Sequence, residues 1–351
     1  MLHLKCLLLL LLFASCTTTK KPHEKIQLEK TTFKELQNWK EDNHLLALET
    51  FKKSCGKIKN IQISKKLPLA EFGASVSKWQ DVCRKAINVG QAEARSYFEQ
   101  NFTPFKVTNH HHKGLFTGYY EASLRGSLRK YGKYKHSIYK KPIDLELHKY
   151  QLSRAAINNN ALHGRNLEIA YVDDEIELFF MHIQGSGHIF LDDGKEIRVG
   201  FAGQNGHPYF AIGRHLVDNY KIDSKVMSAE FIKTWLRNNP RNAKSVMELN
   251  PSYIFFHQNN TDGAVGAQGI VLTKERSLAV DRRYFPLGAP LWLETTYPNQ
   301  SRFHKLVIAQ DTGGAIKGPI RGDIFFGTGK EARILASGMK NMGKYYLLLP
   351  R

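Results

Sequence analysis

Apolar residues divide the chain into stretches of unlike texture. Behind Lys5, residues 6–13 are an almost unbroken leucine-rich run. A bilayer span takes roughly 20 residues, so this shorter run reads as the core of a signal peptide. Polar, lysine-rich sequence follows from Thr17 to about Thr32, the composition of a flexible tether. From there to Phe102, apolar residues recur at three- and four-residue spacing, as in Leu45, Leu48, Phe51 and Cys55, which predicts helices. Ser77-Lys78-Trp79-Gln80 has the form of a capping box for a helix that buries Trp79, Cys83 and Ala86. Between about Phe116 and Phe256 the pattern is β-rich, with strands expected at 167–172, 178–183 and 253–256 and helices near 152–158 and 228–236. Beyond Gly263, short strands separated by Gly and Pro turns point to a small barrel rather than an alternating βαβ sheet. Thr328-Gly329-Lys330-Glu331 predicts a second capping box and a late helix.

The leader ends in Leu12-Phe13-Ala14-Ser15-Cys16, small residues directly before a cysteine. That arrangement resembles a lipobox, with Phe13 where Leu is usual. Residues 1–15 are then a lipoprotein signal peptide, 16–32 the tether, and Cys16 the lipidated first residue of the mature chain. Thr17, in place of Asp, points to the periplasmic face of the outer membrane; an ordinary secretory signal is the alternative. In an oxidising compartment Cys55 and Cys83 are expected to form a disulfide, against the alternative of two buried thiols.

Charge narrows the partners. Lys plus Arg exceed Asp plus Glu by 51 minus 32, or +19, with no acidic block to offset the excess. Residues 129–141 (RKYGKYKHSIYKK) interleave lysines with tyrosines, a pattern that suits nucleic acid. A lipoprotein outside the cytoplasm does not meet nucleic acid, which leaves the membrane surface and carboxylate-bearing peptidoglycan. Aromatic faces that stack on bases also stack on sugars, so this stretch reads as a glycan-binding loop or as a solvated basic hairpin. No repeat, Walker loop, zinc-type cysteine pattern or Gly-x-Ser-x-Gly elbow occurs. Consecutive histidines converge poorly on one ion, so His110-His111-His112 reads as loop, and no metal or cofactor is expected.

Two aspartates stand out in AQDTGGAIKGPIRGD, residues 309–323. Asp311-Thr312-Gly313 after an apolar run is how an aspartic protease presents a catalytic carboxylate. Such an enzyme needs two that share a proton. This is the only Asp-Ser/Thr-Gly in the chain and Gly314 stands where Ser or Thr usually follows, so a protease would require a homodimer.

The longer motifs carry a family. TGYYE at 117–121, HIQGSG at 182–187, GQNGHPYFAIGR at 203–214 and NPSYIFF at 250–256 are followed by LTKERSLAVDRRYFPLGAPLWL at 272–293 and DTGGAIKGPIRGDIFFGTG at 311–329. In identity and order the series resembles the membrane-bound lytic murein transglycosylase A family. The resemblance implies a mainly β protein with a helical N-terminal segment. Segments 33–120 and 257–351 would together form a double-psi β-barrel, into which a β-rich substrate-binding domain, 121–256, is inserted with a groove between them. It further implies that the family's three barrel aspartates fall on Asp281, Asp311 and Asp323, with Asp323 the general acid and base.

A hydrolase needs two carboxylates, whereas a lytic transglycosylase uses the substrate's own C6 hydroxyl as nucleophile and manages with one. Asp323 must be protonated near neutral pH to serve. Burial or the charge of Asp311 would favour that, while Lys317 and Arg321 oppose it. Asp281 reads as a turn residue that bonds backbone amides. Gln184 and Ser186 offer hydrogen bonds to the sugar, and Tyr119 and Tyr120 offer stacking faces, although core packing is the stronger reading for at least one of the two. The competing functions are a two-aspartate peptidoglycan or β-glucan hydrolase and a non-catalytic wall-binding lipoprotein; the presence of Asp323 argues against the second.

Overall fold

A computed structural model describes residues 25–72, 74–109, 114–148 and 151–351. The leader, Cys16 and His110-His111-His112 lie outside them. The last part of the expected tether is a strand. β1 (Gln27–Lys30) runs antiparallel to the edge of β2 (Phe102–Thr108), with Leu28 opposite Val107 and packed on the core, so both strands satisfy backbone groups that the edge would leave unpaired.

Between these strands lie α1 (His44–Ile58), α2 (Val76–Ala86) and α3 (Ala94–Asn101), which bury Leu48, Phe51, Trp79 and Phe98 in one core. The Asn43 side chain caps α1. Ser75, not Ser77, caps α2, because starting two residues earlier adds buried Val76 to the apolar stripe. Cys55 on α1 and Cys83 on α2 form a disulfide.

The next strand, β3 (Gly114–Ser127), enters the segment expected to form an insert. There follow β4 (His136–Tyr139), α4 (Leu145–His148), α5 (Arg154–Asn158), β5 (Glu168–Val172) and α6 (Glu175–Gln184). Then come β6 (Ser186–Leu191), β7 (Glu196–Gln204), α7 (Ile212–Tyr220), α8 (Ala229–Asn238), α9 (Pro240–Glu248) and β8 (Ile254–Asn259). The segment is therefore a sheet with a helical cluster against it, more mixed than its texture predicts. The clearest departure is at 178–183, which is helix. Asp174 caps it by accepting from the amides of Ile176 and Glu177, and Gly185, with φ of 80°, stops it. Its apolar residues are buried on two sides, Leu178 and Met181 against the sheet and Phe179 and Phe180 against α7 to α9. A helix buried all round shows the same unbroken apolar run as a buried strand.

The C-terminal segment comprises β9 (Ser277–Val280), β10 (Pro290–Thr296), β11 (Arg302–Asp311), β12 (Arg321–Thr328), α10 (Gly329–Gly338) and β13 (Lys340–Pro350). Pairing closes on itself through β3, β12, β9, β11, β10, β13 and back to β3. The β3–β12 and β9–β11 pairs are parallel and the others antiparallel. Thr328 occupies the N-cap of α10 without a side-chain bond, so no capping box forms there. At Gly118 a Cβ would meet the Phe326 ring at 2.5 Å and Ala336 of α10 at 2.9 Å; only glycine lets α10 lie on β3.

Side chains tie the N-terminal helices to this closed sheet. Arg276, at the start of β9, makes two 2.7 Å bonds to Asp42, just before α1, and both are buried. Asp42 also accepts from the Leu306 amide at 2.9 Å. Gln310 donates to the Thr50 carbonyl and to Ser54 on α1. Removing one member of such a buried pair strands the other charge, at a cost of about 3–5 kcal/mol. Asp42→Ala is expected to lower the guanidinium unfolding midpoint accordingly; a loss below about 1 kcal/mol would mean that the pair does not hold the segments together.

Candidate active site

Pairing brings the two chosen aspartates together. Asp311 ends β11 and Asp323 lies in β12, the two strands that flank β9, and both align with the same residue, Ala279. Two strand spacings separate their backbones, roughly 10 Å, with buried Ala279 on the strand between them. A bulge between Ala309 and Asp311 turns the Asp311 side chain from the register of its strand.

β3 supplies a partner to each aspartate from alternate positions. Thr117 lies directly across from Asp323, and its hydroxyl donates to Asp323 Oδ1 in a short bond. Arg321 Nη2 donates to the same Thr117 oxygen at 2.7 Å, which directs the hydroxyl proton toward Asp323. Two residues on, the Tyr119 hydroxyl donates to Asp311 Oδ2 at 2.9 Å. Asp311 Oδ1 accepts from the amides of Ala267 and Thr312, each at 2.8 Å.

Each aspartate keeps some surface open to solvent, yet protein crowds the carboxyl groups closely enough that desolvation dominates their acidity. Burial pushes Asp323 up to about 6, helped by the charge of Asp311 and opposed by Arg321 and the Thr117 bond. Burial also raises Asp311, against the three bonds it accepts. Asp281 is different. Burial alone would raise it, but the Arg283 guanidinium and the amides of Gly318 and Arg283 hold it below the usual carboxylate range. It is a buried anion that pins two turns.

The remaining expected residues fall close by with altered duties. Tyr119 and Tyr120 are both buried, so neither presents an open stacking face. Tyr119 packs on Phe325 with ring centres 5.2 Å apart, and Tyr120 accepts from buried Lys233 at 3.1 Å. Gln184, at the end of α6, accepts from the Tyr120 amide at 3.2 Å. Ser186 is buried at the start of β6, and by pleat parity stands beside Glu121 on the face that carries Thr117 and Tyr119. Residues 129–141 form an isolated bridge, Tyr131 to Tyr134, and the short strand β4. Thr117 and Lys233 escaped the sequence reading. Alternation along TGYYE puts Thr117 on the Tyr119 side of a strand, but only the β3–β12 register reveals its partner.

Among the described residues no group of three or more His, Cys, Asp or Glu is arranged to hold a metal ion. Two cavities lie away from the aspartates. One of about 490 Å³ is in the insert beside Arg154 and His182, and one of about 410 Å³ lies beside Glu294 and Lys344.

The raised acidity constant of Asp323 has a stability consequence. Below about pH 4 the group is protonated whether folded or not, whereas above about 6 the folded chain must hold a buried carboxylate charged, so its contribution to stability is lost as pH rises between those values. Asp323→Asn is therefore expected to gain about 3 kcal/mol over the parent at pH 8 relative to the difference at pH 3.5. Urea midpoints at the two pH values measure this, and a pH-independent difference would contradict it.

Family models match two parts of the chain: the "MltA specific insert domain" over residues 115–257 and the "3D domain" over 276–349. The membrane-bound lytic murein transglycosylase A of Vibrio cholerae is 33% identical over 242 residues, which cover 67% of this chain and 65% of that protein. The chain thus matches just under two thirds of the length of this curated relative. The crystal structure of MltA from Neisseria gonorrhoeae in its monoclinic form is 34% identical with a TM-score of 0.78, covering 93% of each chain. Escherichia coli MltA with bound chitohexaose is 26% identical with a TM-score of 0.66, covering 86% of this chain and 89% of that one. With the insert and 3D models matched in order and the Neisseria gonorrhoeae structure aligned over 93% of each chain, the chain belongs to the membrane-bound lytic murein transglycosylase A family.

Proposed function

We propose that the protein is a lytic transglycosylase that cleaves the β-1,4 bond between MurNAc and GlcNAc in peptidoglycan and leaves 1,6-anhydromuramic ends. The observation that carries this reading is the inequality of the two aspartates. Asp323 is the group poised near pH 6, with Oδ1 held by Thr117 and Oδ2 left to carry the proton. Asp311 has both oxygens engaged by donors, so it is poorly placed to activate water, as a two-carboxylate hydrolase would require. Protonated Asp323 donates to the glycosidic oxygen. The carboxylate so formed takes the C6 hydroxyl proton as that oxygen closes on C1. No water enters, and the acid is regenerated. The nucleophile is already part of the sugar, which removes most of the entropic cost of bringing it in.

The closed circuit of β3, β12, β9, β11, β10 and β13 supports a double-psi β-barrel with the 121–256 segment inserted as a second domain. A glycan strand would lie in an open groove between them, against the Thr117 and Tyr119 face. The chitohexaose bound by the Escherichia coli relative supports a GlcNAc-type ligand there. Lipid attachment at Cys16 would put the enzyme on the periplasmic face of the outer membrane; among the described residues no helix is long and apolar enough to cross a membrane.

Digestion of purified murein is expected to release muropeptides lighter by one water than hydrolysis products and without a reducing end. Asp323→Asn should lose roughly 10² to 10⁴ of the rate while still binding glycan, and Asp311→Asn should lose less or shift the pH optimum. Reducing-end products with equal losses at both positions would establish the hydrolase instead. For the anchor, Cys16→Ala should move the protein from the membrane fraction to the soluble periplasm with its activity on isolated sacculi retained. Unchanged fractionation would refute lipidation.

A further inference from the structure

The cavity of about 490 Å³ in the insert has a composition that its position away from the aspartates does not explain. Arg154, on α5, is 3% exposed and has no carboxylate within ion-pair distance among the described residues. Its Nε donates to the Asn250 carbonyl at 3.0 Å, Nη2 to that of Ser252 at 2.6 Å, and Nη1 to His182 Nδ1 at 2.9 Å. The guanidinium lies over the rings of Phe179 at 4.7 Å and Tyr253 at 5.3 Å. Glu175 and Glu248 act on its charge only from farther away, and burial pulls its pKa down to about 10. A buried charge without a counter-ion is costly, so something of opposite sign is missing from this arrangement.

His182 adds a second, independent sign. It is 4% exposed, and burial followed by the Arg154 charge holds its pKa well below the ordinary value, so the ring is neutral. An arginine can only donate, which makes Nδ1 the acceptor and places the ring proton on Nε2. That Nε2 is buried with no hydrogen-bond partner among the described residues. A buried donor left unpaired costs about 1–3 kcal/mol, and a ligand acceptor would satisfy it. Lys135 and Lys244 also line the cavity and are exposed, while Glu168 and Glu175 line it with the opposite charge. Its volume lies within the range of about 300–1,000 Å³ typical of small-ligand sites.

We propose that this cavity is a second ligand site, which takes a carboxylate-bearing peptide: the stem peptide that peptidoglycan carries on its lactyl groups. The proposal rests on peptidoglycan being the substrate and adds recognition of its peptide. A carboxylate meets Arg154, and a separate acceptor of the same peptide meets the orphan His182 donor, which points from the opposite side of the ring. The ammonium of a diamino acid in the same peptide meets Glu168 or Glu175, which a simple inorganic anion would instead find repulsive. Occupancy of such a site would hold peptide-bearing strands to the insert without a direct part in the chemistry.

The test is calorimetric titration of the intact chain with a free stem tripeptide that ends in a diamino acid, in parallel with the same peptide amidated at its carboxylates. The free tripeptide should bind and the amidated one should not. The Lys244→Ala variant should weaken binding several-fold, with cleavage of peptide-free glycan unchanged. Arg154→Met should abolish binding. Should that variant fail to fold, because Arg154 also staples the Asn250 and Ser252 carbonyls, the lysine variant decides. No binding of the free tripeptide, equal binding of its amide, or unchanged affinity in the lysine variant would overturn the proposal. Full competition by acetate or phosphate at the same concentration would do so too. Failure of glycan cleavage with peptide binding intact would instead count against the transglycosylase reading alone.

Discussion

One continuous strand carries the architecture of this protein. The first half of β3 pairs with β12 and β13, and its second half, from Ala122 to Gly126, pairs with β6. A strand cannot slip by one residue without turning every side chain to the other face. Because β3 is held from both ends, its register is set twice, and Thr117 and Tyr119 are delivered to Asp323 and Asp311 by the same pairing that joins the insert to the barrel. Further supports converge on this strand. Gln184 of α6 accepts from the Tyr120 amide, and Lys233 of α8, itself paired to Glu177, reaches the Tyr120 hydroxyl. The insert thus braces the strand beside the aspartates in addition to covering it.

Acid–base readiness at Asp323 arises from competition rather than from one neighbour. Arg321 and Thr117 both favour the carboxylate, and each is bonded to the other. Without burial they would leave an ordinary anionic aspartate. Desolvation exceeds them and lifts the group to about 6. The result suits a residue that must release a proton and then take one back, since a group held too strongly in either form does one half of that work poorly. Asp281 shows the other outcome on the same sheet: protein crowds its carboxyl less, and enough donors reach it to keep it anionic and structural.

Much was legible in the sequence because local chemistry expressed it. The N-terminal helices follow from the spacing of Leu48, Phe51 and Cys55, and α8 begins one residue after its Ser228 cap. The order of long motifs indicated the family. The sequence misled wherever burial on two sides removed periodicity, as in α6, and wherever a polar segment was recruited by an open edge, as in β1.

By itself the sequence determined the N-terminal helices, α8, the excess of positive charge, and the motifs that resemble the family and single out Asp281, Asp311 and Asp323, since each of these is written in neighbouring residues. Only the tertiary structure decided that Asp42 meets Arg276, that Thr117 faces Asp323 across strands more than two hundred positions apart, and that Asp311 is tied by three donors while, among the described residues, none bonds the second oxygen of Asp323. Desolvation is the physical reason. It depends on how many atoms from distant segments crowd one carboxyl group, and that number exists only once the chain has closed β3 against both of its sheets.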